Sequence, residues 1–135
     1  MVCRVRVRLK VKGRVFEGRA LLNSGFEADA PDIIVPIHIA RDLKLWPPST
    51  EAVVTLETGG GEVTLPYYTS HATLELILPD RRSKIVNVNI IVSPYVDEVI
   101  ISDYVASELG VILLDFKKGL WRLADDDPQT LRLSE

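Results

Sequence analysis

The chain has 135 residues, 47% of them hydrophobic and 26% charged, with a formal net charge of −3. That length suits one domain with a proper core. No apolar run approaches the roughly 20 residues of a membrane span, and the basic N-terminus lacks the apolar stretch of a signal peptide. The lone cysteine, Cys3, excludes an internal disulfide and points to a reducing, cytoplasmic setting.

Cys3, Val5, Val7, Leu9 and Val11 alternate with Arg4, Arg6, Arg8 and Lys10. This period of two predicts a strand with one dry and one wet face. Lys12-Gly13 reads as a turn, and Val15 to Leu22 as the returning strand of a hairpin. A short apolar strand follows at Asp32 to Val35. Ile37 to Leu45 reads as one or two helical turns, with Ile39, Ala40 and Leu43 inward, stopped by Pro47-Pro48. Val53, Val54 and Leu56 lead into Thr58-Gly59-Gly60-Gly61-Glu62, and Val63 to Tyr68 lead away, which predicts a second hairpin with a mobile glycine tip. Two further strands are expected at Thr73 to Leu78 and Lys84 to Val92, joined by the turn Pro79 to Arg82. Val99 to Ile101 is a buried strand, Asp103 to Leu109 a short helix ending at Gly110, and Val111 to Phe116 another strand. Lys118-Gly119 turns the chain into Leu120 to Leu123. Beyond Ala124 the tail is expected to be loose up to Leu131 to Leu133, with Asp125-Asp126-Asp127 a solvated loop. Strands at this spacing with two short helices indicate a small, mostly-β barrel.

Few side chains suggest chemistry by themselves. His38 and His71 are far apart, without the Cys or carboxylate spacing of a metal site, and no phosphate loop or Ser-His-Asp pattern is present; neither metal nor cofactor is expected. Asp29 and Asp32 read as solvent-facing or turn-capping. Seven of the sixteen Lys and Arg lie between residues 4 and 19, against Glu17 alone. That basic ribbon could meet phosphates, but it equally suits a solvated strand face, and the net charge argues against nucleic acid as the main partner.

The sharpest feature is the run Ala20-Leu21-Leu22-Asn23-Ser24-Gly25. With aspartate in place of Asn23 it would match the loop that carries the catalytic carboxylate of aspartic peptidases. The chain resembles the retropepsin-like aspartic peptidases, single-domain relatives of retroviral proteases. The resemblance extends through Ile33-Ile34-Val35-Pro36, the helix with Leu43-Lys44-Leu45 where cellular members have a Leu-Gly-Leu-like segment, and the glycine tip at 59–61. It continues through Val99-Ile100-Ile101-Ser102, with Ser102 in place of a glycine, to Leu109-Gly110, Leu114-Asp115-Phe116, Gly119 and Leu120-Trp121-Arg122-Leu123. It covers residues 3–123 and leaves 124–135 as a tail that could add a dimer-interface strand.

The resemblance implies a closed retropepsin-like β barrel with one or two short helices, acting as a homodimer on extended peptides. Asn23, Ser24 and Gly25 would stand at the catalytic loop. Glu27, Gly59, Gly60, Gly61 and Ile101 would contact substrate, with the glycines in a flap. Glu27 falls where retroviral enzymes have a substrate-binding aspartate, and the arginine that braces that aspartate is matched by Asp103, so this ion pair cannot form. Aspartic peptidases work with two carboxylates sharing one proton, one from each loop. One loop per chain therefore implies a two-fold dimer. Asparagine cannot supply a carboxylate, so the chain as written should not cleave. Either Asn23 stands in for an aspartate and holds an inactive form, or it is native to a peptide-binding pseudoenzyme; slow deamidation to aspartate is a third route. A nucleic-acid-binding β module using the basic ribbon is the alternative from another class.

Overall fold

A computed structural model describes residues 3–23 and 25–135, and only the backbone of Thr58, Ser70 and His71. Strands β1 (Cys3–Val11) and β2 (Arg14–Leu22) form the expected hairpin, in register from Cys3 opposite Leu22 to Val11 opposite Arg14. The two turn residues, Lys12 and Gly13, have φ of 47° and 83°. Positive φ at both positions is the twist-compatible hairpin turn, in which glycine or asparagine is at ease and lysine is not. Alternation places Cys3, Val5, Val7, Leu9 and Val11 inward, each 3% exposed or less. Burying each of the larger side chains contributes roughly 1.5–3 kcal/mol.

β3 (Asp32–Pro36) leads directly into α1 (Ile37–Asp42), shorter than the expected helix to Leu45. Lys44 turns left-handed, with φ 61°, and the Leu45 amide donates back to the Ala40 carbonyl at 2.8 Å. This closure ends the helix while keeping Leu43 and Leu45 buried.

β4 (Val53–Thr58) pairs with the first part of β5 (Gly61–Ile77) around the glycine tip. The sequence suggested two strands, Val63 to Tyr68 and Thr73 to Leu78; the structure has one of seventeen residues. The ladder between β5 and β6 (Arg82–Ser93) shifts register between Tyr68 and Ala72. Such an irregularity absorbs extra residues and bends the strand without ending it. The hairpin can thus leave the barrel while the second part of β5 stays within it.

β7 (Val99–Ile101), α2 (Asp103–Leu109), β8 (Val111–Asp115), β9 (Leu120–Leu123) and β10 (Arg132–Leu133) complete the chain. Six strands close a mostly-β barrel in the order β1-β2-β7-β3-β6-β5, with β5 returning to β1. The β2–β7 and β3–β6 ladders are parallel and the other barrel ladders antiparallel. β7 therefore lies between β2 and β3, the two strands that bracket the Asn23 loop. β8, β9 and β10 form a separate three-stranded sheet.

The tail is not loose. β10 pairs with β9, the Glu135 amide donates to the Arg4 carbonyl, and the Arg4 amide donates to Ser134 Oγ at 2.8 Å. Nor is Asp126 solvated: its carboxylate accepts from Arg132 Nε and the Leu123 amide, both at 2.8 Å, and from Arg81 Nη1 at 3.0 Å. The Asp126 and Arg132 side chains are only 5% and 9% exposed. Arg132 also stands 5.7 Å over the buried Trp121 ring. Asp125 and Asp127 are exposed, as a run of three acids suggests; Asp126 alone is enclosed, by Arg81 from the turn before β6 and Arg132 from β10.

Candidate functional site

Asn23 follows the last residue of β2 and is held there by its own backbone. Its amide donates to the Ile101 carbonyl at 3.3 Å, and its carbonyl accepts from the Phe26 amide at 3.0 Å. Its side-chain Oδ1 accepts from the Gly25 amide at 3.0 Å. That bond fixes which end of the side-chain amide faces the loop, because only the oxygen can accept. Nδ2, with two N–H donors, points elsewhere. A Cβ on Gly25 would sit 3.2 Å from Asn23 Oδ1, so the absence of a side chain there admits the contact. Ser24 lies outside the described residues.

The loop is clamped from behind by the start of α2. Asp103 donates its amide to the Phe26 carbonyl at 3.0 Å, and its Oδ1 accepts from the Ala28 amide at 3.0 Å. The same oxygen accepts from the Tyr104 amide at 2.7 Å. Where the resemblance led to a missing arginine, the acid holds the loop through the backbone. Ser102, fully buried, is the N-cap: its Oγ accepts from the Val105 amide at 3.3 Å. Glu27 is exposed between the two clamped residues. Ile101 is fully buried and reaches the loop through its carbonyl. The bracing role of Asp103 was not foreseen: its partner is a backbone amide from a distant loop, which the sequence does not mark.

Beside Asn23 opens a cavity of about 390 Å³. Leu22, Ile101, Val111 and Leu113 give it apolar walls, with Asn23 and Asp103 at its polar edge. Asn23 and Ile101 are thus brought together. Gly59, Gly60 and Gly61 are at the tip of the β4–β5 hairpin and are not part of this cavity's wall.

Asp32 is not solvent-facing. It accepts from Tyr67 Oη at 2.5 Å and from Asn89 Nδ2 at 3.2 Å, tying β3, β5 and β6 together. Burial, then the Asp32 carboxylate, pushes the Tyr67 phenol up to about 12. Along the basic ribbon, Arg4 pairs with Glu98 at 2.8 Å, and Arg8 with Glu17 and Glu75 at 2.6 and 2.7 Å. Arg6 is 3.9 Å from Glu135. Much of the charge available to phosphates is therefore offset within the molecule. His38 is exposed on α1, and no group of three or more metal-ligating side chains occurs among the described residues. None of the described helices is long and apolar enough to cross a membrane. No family model and no curated protein matches the chain.

Proposed function

We propose that the chain is half of an aspartic-peptidase-type site on a retropepsin-like barrel, which pairs with a second copy to hold extended peptides without cleaving them. The observation that carries this reading is the clamped Asn23 loop, pinned to β7 on one side and to the start of α2 on the other, beside an apolar cavity. An extended peptide would gain strand-type backbone hydrogen bonds, with its side chains in pockets such as this one. The glycine-tipped hairpin would act as the flap, and Glu27 as an exposed contact. The protein would work in a reducing, cytoplasmic setting, where the buried Cys3 stays a thiol.

The chemistry follows from one atom. A carboxylate at position 23 would accept from the Gly25 amide with one oxygen and leave the other free to take a proton from water. Asparagine keeps the first interaction and replaces the second oxygen with donors. It can hold a peptide carbonyl but cannot activate water. Losing one acid–base contribution lowers rate roughly 10²–10⁴-fold, and a two-fold dimer loses both.

The test is Asn23→Asp. A peptide-library digest between about pH 3 and 7 should show no cleavage by the chain as given and acid-favoured cleavage by the variant. Sedimentation should show a dimer. A variant that binds peptides but stays inert would mean that the scaffold serves binding alone, the native pseudoenzyme. One that neither cleaves nor binds peptides would end the reading.

A further inference from the structure

Two lysines occupy backbone positions that suit glycine, and both face the same cavity. Lys12 is the first residue of the β1–β2 turn, with φ 47°; Lys44 is the left-handed residue that closes α1, with φ 61°. Non-glycine residues are uncommon there, and lysine gains no local hydrogen bond of the kind that favours asparagine. The turn and the helix end belong to different parts of the fold, yet Lys12 and Lys44 line one cavity of about 100 Å³ together with Arg14. Beneath these cations the floor is apolar, built from the buried Leu43, Leu45 and Ile90. None of the three cations is ion-paired among the described residues, whereas Arg4, Arg6 and Arg8 on the same hairpin each have a carboxylate partner. A second cavity of about 180 Å³ shares Lys12, Ser49 and Tyr68 with the first and adds the hydroxyl-bearing Thr50 and Thr69. It lies at the root of the β4–β5 hairpin, where the Tyr67 amide donates to the Ala52 carbonyl.

We propose that this pair of cavities binds a small amphipathic anion: a phosphate or carboxylate head among Lys12, Arg14 and Lys44, on a short aliphatic stem seated against Leu43, Leu45 and Ile90. Lys12, Arg14 and Lys44, unpaired with carboxylates among the described residues, supply attraction, and the floor supplies a gain that grows with each methylene buried. The volume admits a stem of several heavy atoms. The site is separate from the Asn23 loop: Arg14 and Leu22 are the two ends of β2, roughly 26 Å apart at about 3.3 Å per residue.

The experiment is an NMR titration of the full chain with inorganic phosphate, ethyl phosphate, butyl phosphate and butanol. Butyl phosphate should bind roughly tenfold more tightly than ethyl phosphate, for two further buried methylenes. Amide shifts should centre on Lys12, Lys44 and Leu45, and binding should weaken with salt. Lys12→Gln and Lys44→Gln should each reduce affinity about two- to fivefold. Ala72→Leu, which intrudes on the floor, should remove the gain from stem length and keep inorganic phosphate binding. The stem series on the unaltered protein decides the matter even if that variant fails to fold. Equal affinity for all three phosphates, shifts spread over Arg4, Arg6 and Arg8, or no saturation in the millimolar range would each overturn the proposal.

Discussion

Replacing Asp126 with asparagine tests how the C-terminal segment is held. The carboxylate accepts four hydrogen bonds: two from Arg132 at 2.8 and 3.0 Å, one from Arg81 at 3.0 Å and one from the Leu123 amide at 2.8 Å. Asparagine can accept through one oxygen only, and its Nδ2 would face a guanidinium. Breaking a buried pair from one side costs about 3–5 kcal/mol, because the other charge stays behind. Arg132 keeps Asp80 and Arg81 keeps Asp125 on the exposed side, so the low end, about 3 kcal/mol, is expected. In a chain of this length that corresponds to a fall of roughly 10 °C in Tm. The loss should depend on pH. Arg132 chiefly holds the Asp126 carboxyl well below its ordinary value of 3.8. A carboxyl depressed in the folded state contributes stability above its unfolded value and loses it as pH falls towards the folded one. Urea unfolding should therefore show the full gap between the parent chain and Asp126→Asn above about pH 5, narrowing below pH 4. A gap under about 0.5 kcal/mol at neutral pH would reduce the network to ordinary surface pairing.

Three other substitutions probe the rest of the molecule. Leu9→Ala, at a fully buried site on β1, should cost about 2–5 kcal/mol in denaturant unfolding. Tyr67→Phe should cost about 1–2 kcal/mol, because Asp32 and Asn89 lose a shared partner. In ultraviolet titration of the parent, the Tyr67 phenol should ionise near 12. The raised phenol stabilises the fold below its unfolded value of 10.0, and that contribution disappears as pH climbs towards about 12. Lys44→Gly should raise stability by about 0.5–1 kcal/mol in thermal unfolding by relieving the left-handed backbone, and should weaken anion binding. A loss of stability would mean that the lysine stem packs better than its backbone suggests.

Most strands were legible because one barrel face is dry, so alternation survives in sequence; β1 is the plainest case. The exceptions share a cause. α1 ends three residues early because a left-handed closure at Lys44 depends on backbone geometry that an apolar period does not record. β5 runs through Thr69-Ser70-His71, where its ladder with β6 shifts register between Tyr68 and Ala72; only the pairing resumed beyond that shift makes one strand of two apparent ones. Asp126 looked solvated because the three acids are adjacent in sequence, whereas Arg81 and Arg132 reach it from a turn and from the last strand.

The candidate site divides along the same line. The resemblance, rather than local chemistry, marked Asn23 and Gly25; the structure adds the turn in which Asn23 Oδ1 accepts from the Gly25 amide. Asp103 was first weighed as the loss of an ion pair, because a side chain's partner was sought among side chains. Its partner is the Ala28 amide, and a backbone donor leaves no trace in sequence. The same reasoning reaches Asn23. Compared with aspartate, asparagine reads as a missing charge; with the Gly25 bond in view it is also an added donor. On the proposed reading, the missing charge would leave water without a general base. A donor that is present explains how a peptide carbonyl could be held at the same place, and this second property gives the pseudoenzyme reading a physical basis of its own.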